Sequence, residues 1–211
     1  MKSKGLPLEK TFVKILKTDF PSIKTVVNLG AWIGNSTLWF ESKNPEMTII
    51  AVEPMIENYI ELVRKIVRGN KKNIIPVFGA ISDKTGKDEL FISDKSESHS
   101  FFRKKHYMDG NIKRLVSTIS WDDLMDMLNV TEVGLAKVNI EGAEIKMLKG
   151  MTKVFPRKML IEEHSSTISP KDYSLQELMN LVKEKGYRVI EYEPSGKKKD
   201  DLHLELCIKD I

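Results

Sequence analysis

One cysteine, Cys207, stands among 211 residues, so no internal disulfide can form. A chain without disulfides suits a reducing compartment, and the expectation is a cytoplasmic protein. Long hydrophobic runs are also lacking. No stretch approaches the roughly 20 apolar residues that a membrane-spanning helix needs. The first residues, MKSKGLPLEKTFVKILK, interleave lysines with apolar residues and lack the continuous apolar core of a secretory signal. Strong charge of one sign is missing as well. The formal net charge is +4 and the pI about 8.9. Basic runs are short, no longer than Arg103 to Lys105 and Lys197 to Lys199, with pairs such as Lys71-Lys72 elsewhere. No concentrated basic stripe marks a nucleic-acid surface, so nucleic acid is not an expected partner. No Cys/His spacing of a metal site is present, and no metal is expected.

What remains is ordinary for a folded enzyme-sized domain. Hydrophobic residues make up 41% and charged residues 30% of the chain, enough for one domain with a real core. Residues 7–18 carry Leu8, Phe12, Ile15 and Leu16 at helical spacing, and Pro21 ends that pattern; residues 1–24 read as a helical extension. From residue 25 to 211 strand and helix signals alternate in a single domain. Short apolar runs at 25–30, 47–53, 73–81, 133–140 and 158–164 predict buried strands. Helices are expected from about Ser36, after Pro54, over Trp121 to Leu128, over Glu144 to Gly150, and over 174–186. The helix after Pro54 is expected to gather Tyr59, Ile60, Val63, Ile66 and Val67 on one face. Runs at 187–193 and 202–209 flank Ser195-Gly196 and predict an antiparallel pair. The 84–120 segment, with strands expected at 88–94 and 115–120, reads as an insertion near the ligand crevice. Such alternation implies an α/β fold: a doubly wound, mostly parallel sheet with an antiparallel C-terminal edge strand. That combination is typical of the Rossmann-like class I methyltransferase fold.

Sheets of this kind bind ligands beyond the carboxyl ends of their strands. After the first strand come Gly30, Ala31 and Gly34, then Ser36 and Thr37 at a helix start. Glycines there permit close backbone approach, and a helix start favours a carboxylate. The second strand ends in Glu53, followed by Pro54. An acid at that point can accept hydrogen bonds from both hydroxyls of an adenosine ribose. Ala80, Ile81, Ser82 and Asp83 end the third strand, where small residues and an acid can hold an adenine. A dinucleotide is disfavoured, because G-A-W-I-G-N lacks the middle glycine of G-x-G-x-x-G that admits a pyrophosphate. S-adenosylmethionine has the ribose and the carboxylate but no pyrophosphate, and is the expected cofactor.

The stretches VVNLGAWIGNST, VEPMIENYIELVRKI, GAISDKTGKDELFIS, STISWDDLM, AKVNIEGAEIKMLKGM and MLIEEHS run from Val26 to Ser165. In that order they resemble the FkbM-type family of S-adenosylmethionine-dependent methyltransferases. The resemblance implies O-methylation of a hydroxyl, often on a sugar or natural product. It assigns Gly30, Ala31 and Gly34 to the methionine part, Glu53 to the ribose, and Ser82 and Asp83 to the neighbourhood of the adenine. Two positions depart from the family pattern, which has Asp where this chain has Asn28 and Asn139. Strand order should bring both close together in the cofactor pocket, and two amides can hydrogen-bond each other without the repulsion of two buried carboxylates. An Asn28→Asp chain is on that view expected to lose stability.

A sugar-like hydroxyl must lose a proton during transfer. Candidates at the carboxyl edge are Glu141, Glu144, Glu163 and His164, of which an imidazole titrates nearest neutral pH. Glu163, Glu141, Asn139 and His164 also form a conceivable oxygen-rich metal site, with no spacing that fixes it. Residues 96–107, SESHSFFRKKHY, suit a substrate-facing lid for a small-molecule or glycan acceptor. Two alternatives stand beside this reading: an RNA or protein methyltransferase on the same fold, and a non-catalytic cofactor-binding member.

Overall fold

The computed structural model describes residues 20–103, 112–165, 168–192 and 204–209. The expected helix at 7–18, His106 and Tyr107 of the expected lid, and the Ser195-Gly196 turn lie outside these residues.

The chain order is β1 (Thr25–Leu29), α1 (Asn35–Lys43), β2 (Thr48–Glu53), α2 (Ile56–Arg68), β3 (Ile74–Phe78), β4 (Ala80–Ser82), β5 (Gly86–Phe91), β6 (Lys113–Ser120), α3 (Trp121–Met127), β7 (Leu135–Val138), α4 (Glu144–Lys149), β8 (Lys158–Glu162), α5 (Leu175–Glu184), β9 (Tyr187–Tyr192) and β10 (Leu204–Lys209). Seven strands form the main sheet in the order β3-β2-β1-β7-β8-β10-β9. Pairings from β3 through β8 are all parallel, and β10 runs antiparallel to both β8 and β9. The antiparallel strand therefore lies one place inside the sheet, and β9 forms the edge. The strand order reverses direction between β1 and β7, so their carboxyl ends make the switch-point crevice.

The strands read as continuous apolar runs because both faces are covered. On one face Val27, Leu29, Ala136, Val138, Met159 and Ile161 pack with Trp121, Leu124, Leu148 and Leu178 of α3, α4 and α5. On the other, Val26, Ile49, Ala51 and Leu135 pack with Phe40, Leu62 and Ile66 of α1 and α2. Burying side chains of this size stabilises by about 1.5–3 kcal/mol each.

The run at 73–81 is not one strand. Gly79 donates its N–H to the Glu53 carbonyl at 3.1 Å, and the chain then leaves the main sheet. β4 pairs instead with β6, which pairs antiparallel with β5, giving a second, three-stranded sheet. The outer position of β3 explains how Pro76, which has no N–H to donate, is tolerated there.

Helix α2 presents a different face from the one its sequence suggested. Asn58, Leu62 and Ile66 are buried, while Ile60 and Val67 are 43% and 71% exposed. Two contacts set the rotation. Leu62 closes on Gly34, where an added Cβ would lie 2.7 Å from Leu62 Cδ1. Asn58 donates Nδ2 to Glu53 Oε1 at 3.2 Å. Among the described residues no helix is long and apolar enough to cross a membrane.

Candidate active site

Four described non-glycine residues adopt left-handed backbone: Trp32, Asn70, Asn129 and Glu141. The two asparagines follow helices α2 and α3, where this conformation is common. Trp32 and Glu141 lie instead in the loops after β1 and β7, at φ 49° and 58°. Strain in bulky residues gathers at functional sites, and here it gathers at the switch point.

Gly30 is required by the fold. Its φ is 71°, and an added Cβ would lie 1.8 Å from the Asn139 carbonyl oxygen. This glycine lets the β1 and β7 loops cross, so it is not in itself a sign of a ligand. Ala31 is buried and donates its N–H to the Val52 carbonyl at 2.9 Å. Gly34, at φ 87°, caps the start of α1.

Glu53, at the end of β2, is 4% exposed. Its Oε2 accepts from Trp32 N at 2.8 Å, and its Oε1 accepts from Met55 N at 3.0 Å and Asn58 Nδ2. Burial pushes its pKa above the ordinary 4.5, against the hydrogen bonds of Met55, Asn58 and Trp32 and the charge of Lys137. Pro54 follows at the turn into α2. A carboxylate that accepts from three donors still has a lone pair to offer a hydroxyl.

Asn28 and Asn139 do not bond each other. The register sets Asn28 opposite Lys137, two residues before Asn139. Asn28 Nδ2 donates to Ser36 Oγ at 2.9 Å and to Thr37 Oγ1 at 2.8 Å, tying β1 to the first turn of α1. Asn139 Nδ2 donates to Glu162 Oε2 at 2.6 Å. Thr37 is fully buried and holds the turn together through its bond from Asn28. The Oδ1 atoms of Asn28 and Asn139 are buried acceptors without a hydrogen-bond partner in the protein.

The same geometry revises the expected effect of Asn28→Asp. An aspartate would accept from the Ser36 and Thr37 hydroxyls, which rotate to donate, so both bonds survive with reversed polarity. Lys137, on the same sheet face, would offset the new charge. The variant should melt within about 4 °C of the parent, a difference of about 1 kcal/mol, as scanning calorimetry would show. A drop well beyond that would mean the Asn28 amide is itself required.

Lys137 went unremarked in the sequence. It retains some accessible surface, yet burial holds its pKa below the usual 10.5, against the charges of Glu162 and Glu53. Its Nζ donates to the Gly30 carbonyl at 3.3 Å. A lysine inside an apolar strand next to a switch point was the available signal.

After β7, Glu144 and His164 form a deeply buried polar contact, 0% and 3% exposed. His164 Nδ1 lies 3.0 Å from Glu144 Oε1, and His164 Nε2 lies 3.5 Å from Glu141 Oε1. Glu144 Oε1 also accepts from Gly142 N at 3.2 Å. Burial, the largest influence on Glu144, would raise its pKa. The His164 charge and hydrogen bond, with backbone N–H groups, outweigh it and hold the carboxyl below 4.5. Glu141 is the member of this chain with side-chain surface at the crevice, 16% exposed. Glu163 is buried, and its Oε2 accepts from Ser165 N at 2.7 Å in the turn after β8. Among the described residues no three His, Cys, Asp or Glu side chains gather as a metal site would require.

Ala80 packs with Met55, close to Glu53, and Ile81 joins the main core. Ser82 and Asp83 are carried further. Their carbonyls abut Gly150, at the opposite end of α4 from the Glu141-Gly142 turn. The 93–103 segment spans the crevice mouth. Trp32 Nε1 donates to Ser96 Oγ at 3.1 Å, Asn58 Nδ2 donates to the Ser96 carbonyl at 2.8 Å, and Ser100 Oγ donates to the Glu141 carbonyl.

Known proteins agree with this architecture. The model of the methyltransferase FkbM domain matches residues 28–189. The chain belongs to the FkbM methyltransferase family. That match contains every crevice residue described above. "Methyltransferase 1" of Beauveria bassiana is 25% identical over 154 residues, 63% of this chain. This FkbM chain spans 60% of the length of that relative. Solved structures share the fold at low identity. A precorrin-6y C5,15-methyltransferase from Geobacter metallireducens aligns at TM-score 0.54 and 9% identity, over 99% of this chain and 93% of the other. Aeropyrum pernix fibrillarin, solved with natively bound S-adenosyl-L-methionine, aligns at 0.53 and 12%, over 88% and 66%. An rRNA methylase from Streptococcus thermophilus aligns at 0.54 and 11%, over 92% and 94%. The class I methyltransferase fold of the FkbM chain is thus the one its strand order displays.

Proposed function

We propose that this FkbM-family chain transfers a methyl group from S-adenosylmethionine to a hydroxyl oxygen of a sugar or other small molecule. The observation that carries the reading is the Glu141–His164–Glu144 chain, set at the same sheet edge as Glu53. Glu53 would hold the ribose, Ala80 would border the adenine, and the Oδ1 atoms of Asn28 and Asn139 would accept from the methionine ammonium. When bound, the cofactor supplies a methyl group already activated on a sulfonium, so the protein's work is positioning and proton removal. Glu141 takes the hydroxyl proton at the crevice, His164 shares it through Nε2, and Glu144 balances the resulting imidazolium. The segment over the crevice, fastened to the loops after both β1 and β7, favours an acceptor small enough to sit beneath it.

Glu53→Gln should bind S-adenosylmethionine at least about ten-fold more weakly, because one ribose acceptor becomes a donor. In the parent, the ionised carboxylate is the better acceptor. Affinity should therefore fall as pH drops through the raised pKa of Glu53, which lies above 4.5. Titrations at several pH values check both outcomes. For the reaction itself, the chain is incubated with methyl-labelled cofactor and separate panels of saccharides, phenolic hydroxyl compounds, RNA and peptides. Label in an alkali-stable ether of a small hydroxyl compound supports the proposal. Label confined to RNA or peptide rejects it.

A further inference from the structure

Helix α2 carries a second apolar face that the protomer leaves uncovered. Ile56, Ile60, Val63 and Val67 follow one another at steps of four, three and four residues, the spacing of a coiled-coil seam. Ile56 is 40% exposed, Ile60 43% and Val67 71%, while Val63 is half-buried. The inward face of the same helix, Asn58, Leu62 and Ile66, already serves the core. Phe78, beside Tyr59 with ring centroids 5.2 Å apart, is 47% exposed and widens the patch. A surface lysine or glutamate would cost nothing at these outer positions, so four aligned apolar residues need an occupant.

Charge along the helix says which occupant fits. Its first half carries Glu57 and Glu61, its second half Arg64, Lys65 and Arg68. A second copy laid antiparallel sets the acidic half of one helix against the basic half of the other. With Ile56, Ile60, Val63 and Val67 as the seam, Glu57 and Arg64 occupy equivalent flanking positions one heptad apart. In an antiparallel pair, flanking positions of the same kind face each other, so Glu57 of each copy meets Arg64 of the other. A parallel pair would bring like halves together. Glu57 now pairs with Arg114 at 2.8 Å and Arg64 with Glu61 at 3.6 Å, both on exposed side chains. Exposed pairs of this kind contribute little and exchange partners readily.

We propose that α2 is a self-association helix, its outer seam packing antiparallel against α2 of a second copy of this chain. The active-site crevice opens at the strand ends, so each copy keeps its own site. Analytical ultracentrifugation of the full chain across micromolar to submillimolar concentration should find twice the chain mass of 24.2 kDa. Val67→Glu should weaken the dimer at least about ten-fold, with the melting transition retained because the position is exposed. One chain mass throughout that range overturns the proposal, including the case in which residues 1–19 cover the seam. Orientation has its own readout in a Cys207→Ser background. Ile56→Cys with Val67→Cys should give a disulfide-linked dimer, since eleven residues along one helix, about 16 Å, are too far apart to bridge internally. Efficient cross-linking of Val67→Cys alone would mean a parallel pair and overturn the antiparallel arrangement.

Discussion

Glu141→Gln should lower methyl transfer to a hydroxyl acceptor by about 10²–10⁴-fold while leaving cofactor affinity within a few-fold. Glutamine keeps the size and the backbone but cannot take a proton. Glu141 is the member of the Glu141–His164–Glu144 chain that reaches the crevice, and its backbone is held at φ 58°. Left-handed backbone costs a residue with a Cβ about 1–2 kcal/mol. Glu141→Gly should therefore lose turnover as deeply as the glutamine variant and yet melt no lower, or slightly higher. Steady-state kinetics with the labelled-methyl assay and a thermal melt separate the two effects. Wild-type turnover in Glu141→Gln would remove Glu141 from the proton path.

His164→Ala should destabilise the folded chain by about 3–5 kcal/mol at neutral pH, because it strands the buried Glu144 carboxylate. For a chain of this length that is a fall in melting temperature of roughly 6–20 °C. The effect has a defined pH dependence. In the parent, the folded pKa of Glu144 lies below its unfolded value of 4.5, so its stabilisation is present above that value and lost as pH falls through the folded pKa. In the variant, only the backbone N–H groups oppose burial, and the carboxyl is more readily protonated. The gap between parent and variant should narrow as pH drops below 4.5. A gap that is small at pH 7, or constant with pH, would show that His164 and Glu144 are not coupled.

Much of this was legible in the residues because it is local. Strand, glycine turn, helix, strand and acid follow in order from Val26 to Glu53, and each step is a short-range pattern. The I-E-G-A-E stretch likewise marked the loop that holds Glu141 and Glu144. What the sequence concealed depends on register and packing between distant segments. The β1–β7 register put Lys137, not Asn139, opposite Asn28, and so gave Asn28 the hydroxyls of Ser36 and Thr37 as partners. The hydrogen bond from Gly79 to Glu53 ended an apolar run that continued without interruption in the sequence, and took Ser82 and Asp83 with it. Helix α2 has two apolar faces, and periodicity alone favoured the outer one. Only the contact of Leu62 with Gly34 and of Asn58 with Glu53 reveals which face turns inward. Trp32 was visible in the glycine turn only as an obstacle to a pyrophosphate. Its backbone N–H on Glu53 and its indole on Ser96 join the loop after β1 to the segment across the crevice.

Glu53, Asn28 and Asn139 are proposed to line a working S-adenosylmethionine site despite the missing carboxylates at 28 and 139. Isothermal titration calorimetry of the full chain with S-adenosylmethionine at neutral pH tests it most directly. Saturable binding of one cofactor per chain is expected, weakened at least about ten-fold in Glu53→Gln. A chain that melts cooperatively but takes up no heat-detectable cofactor at millimolar concentration would contradict it.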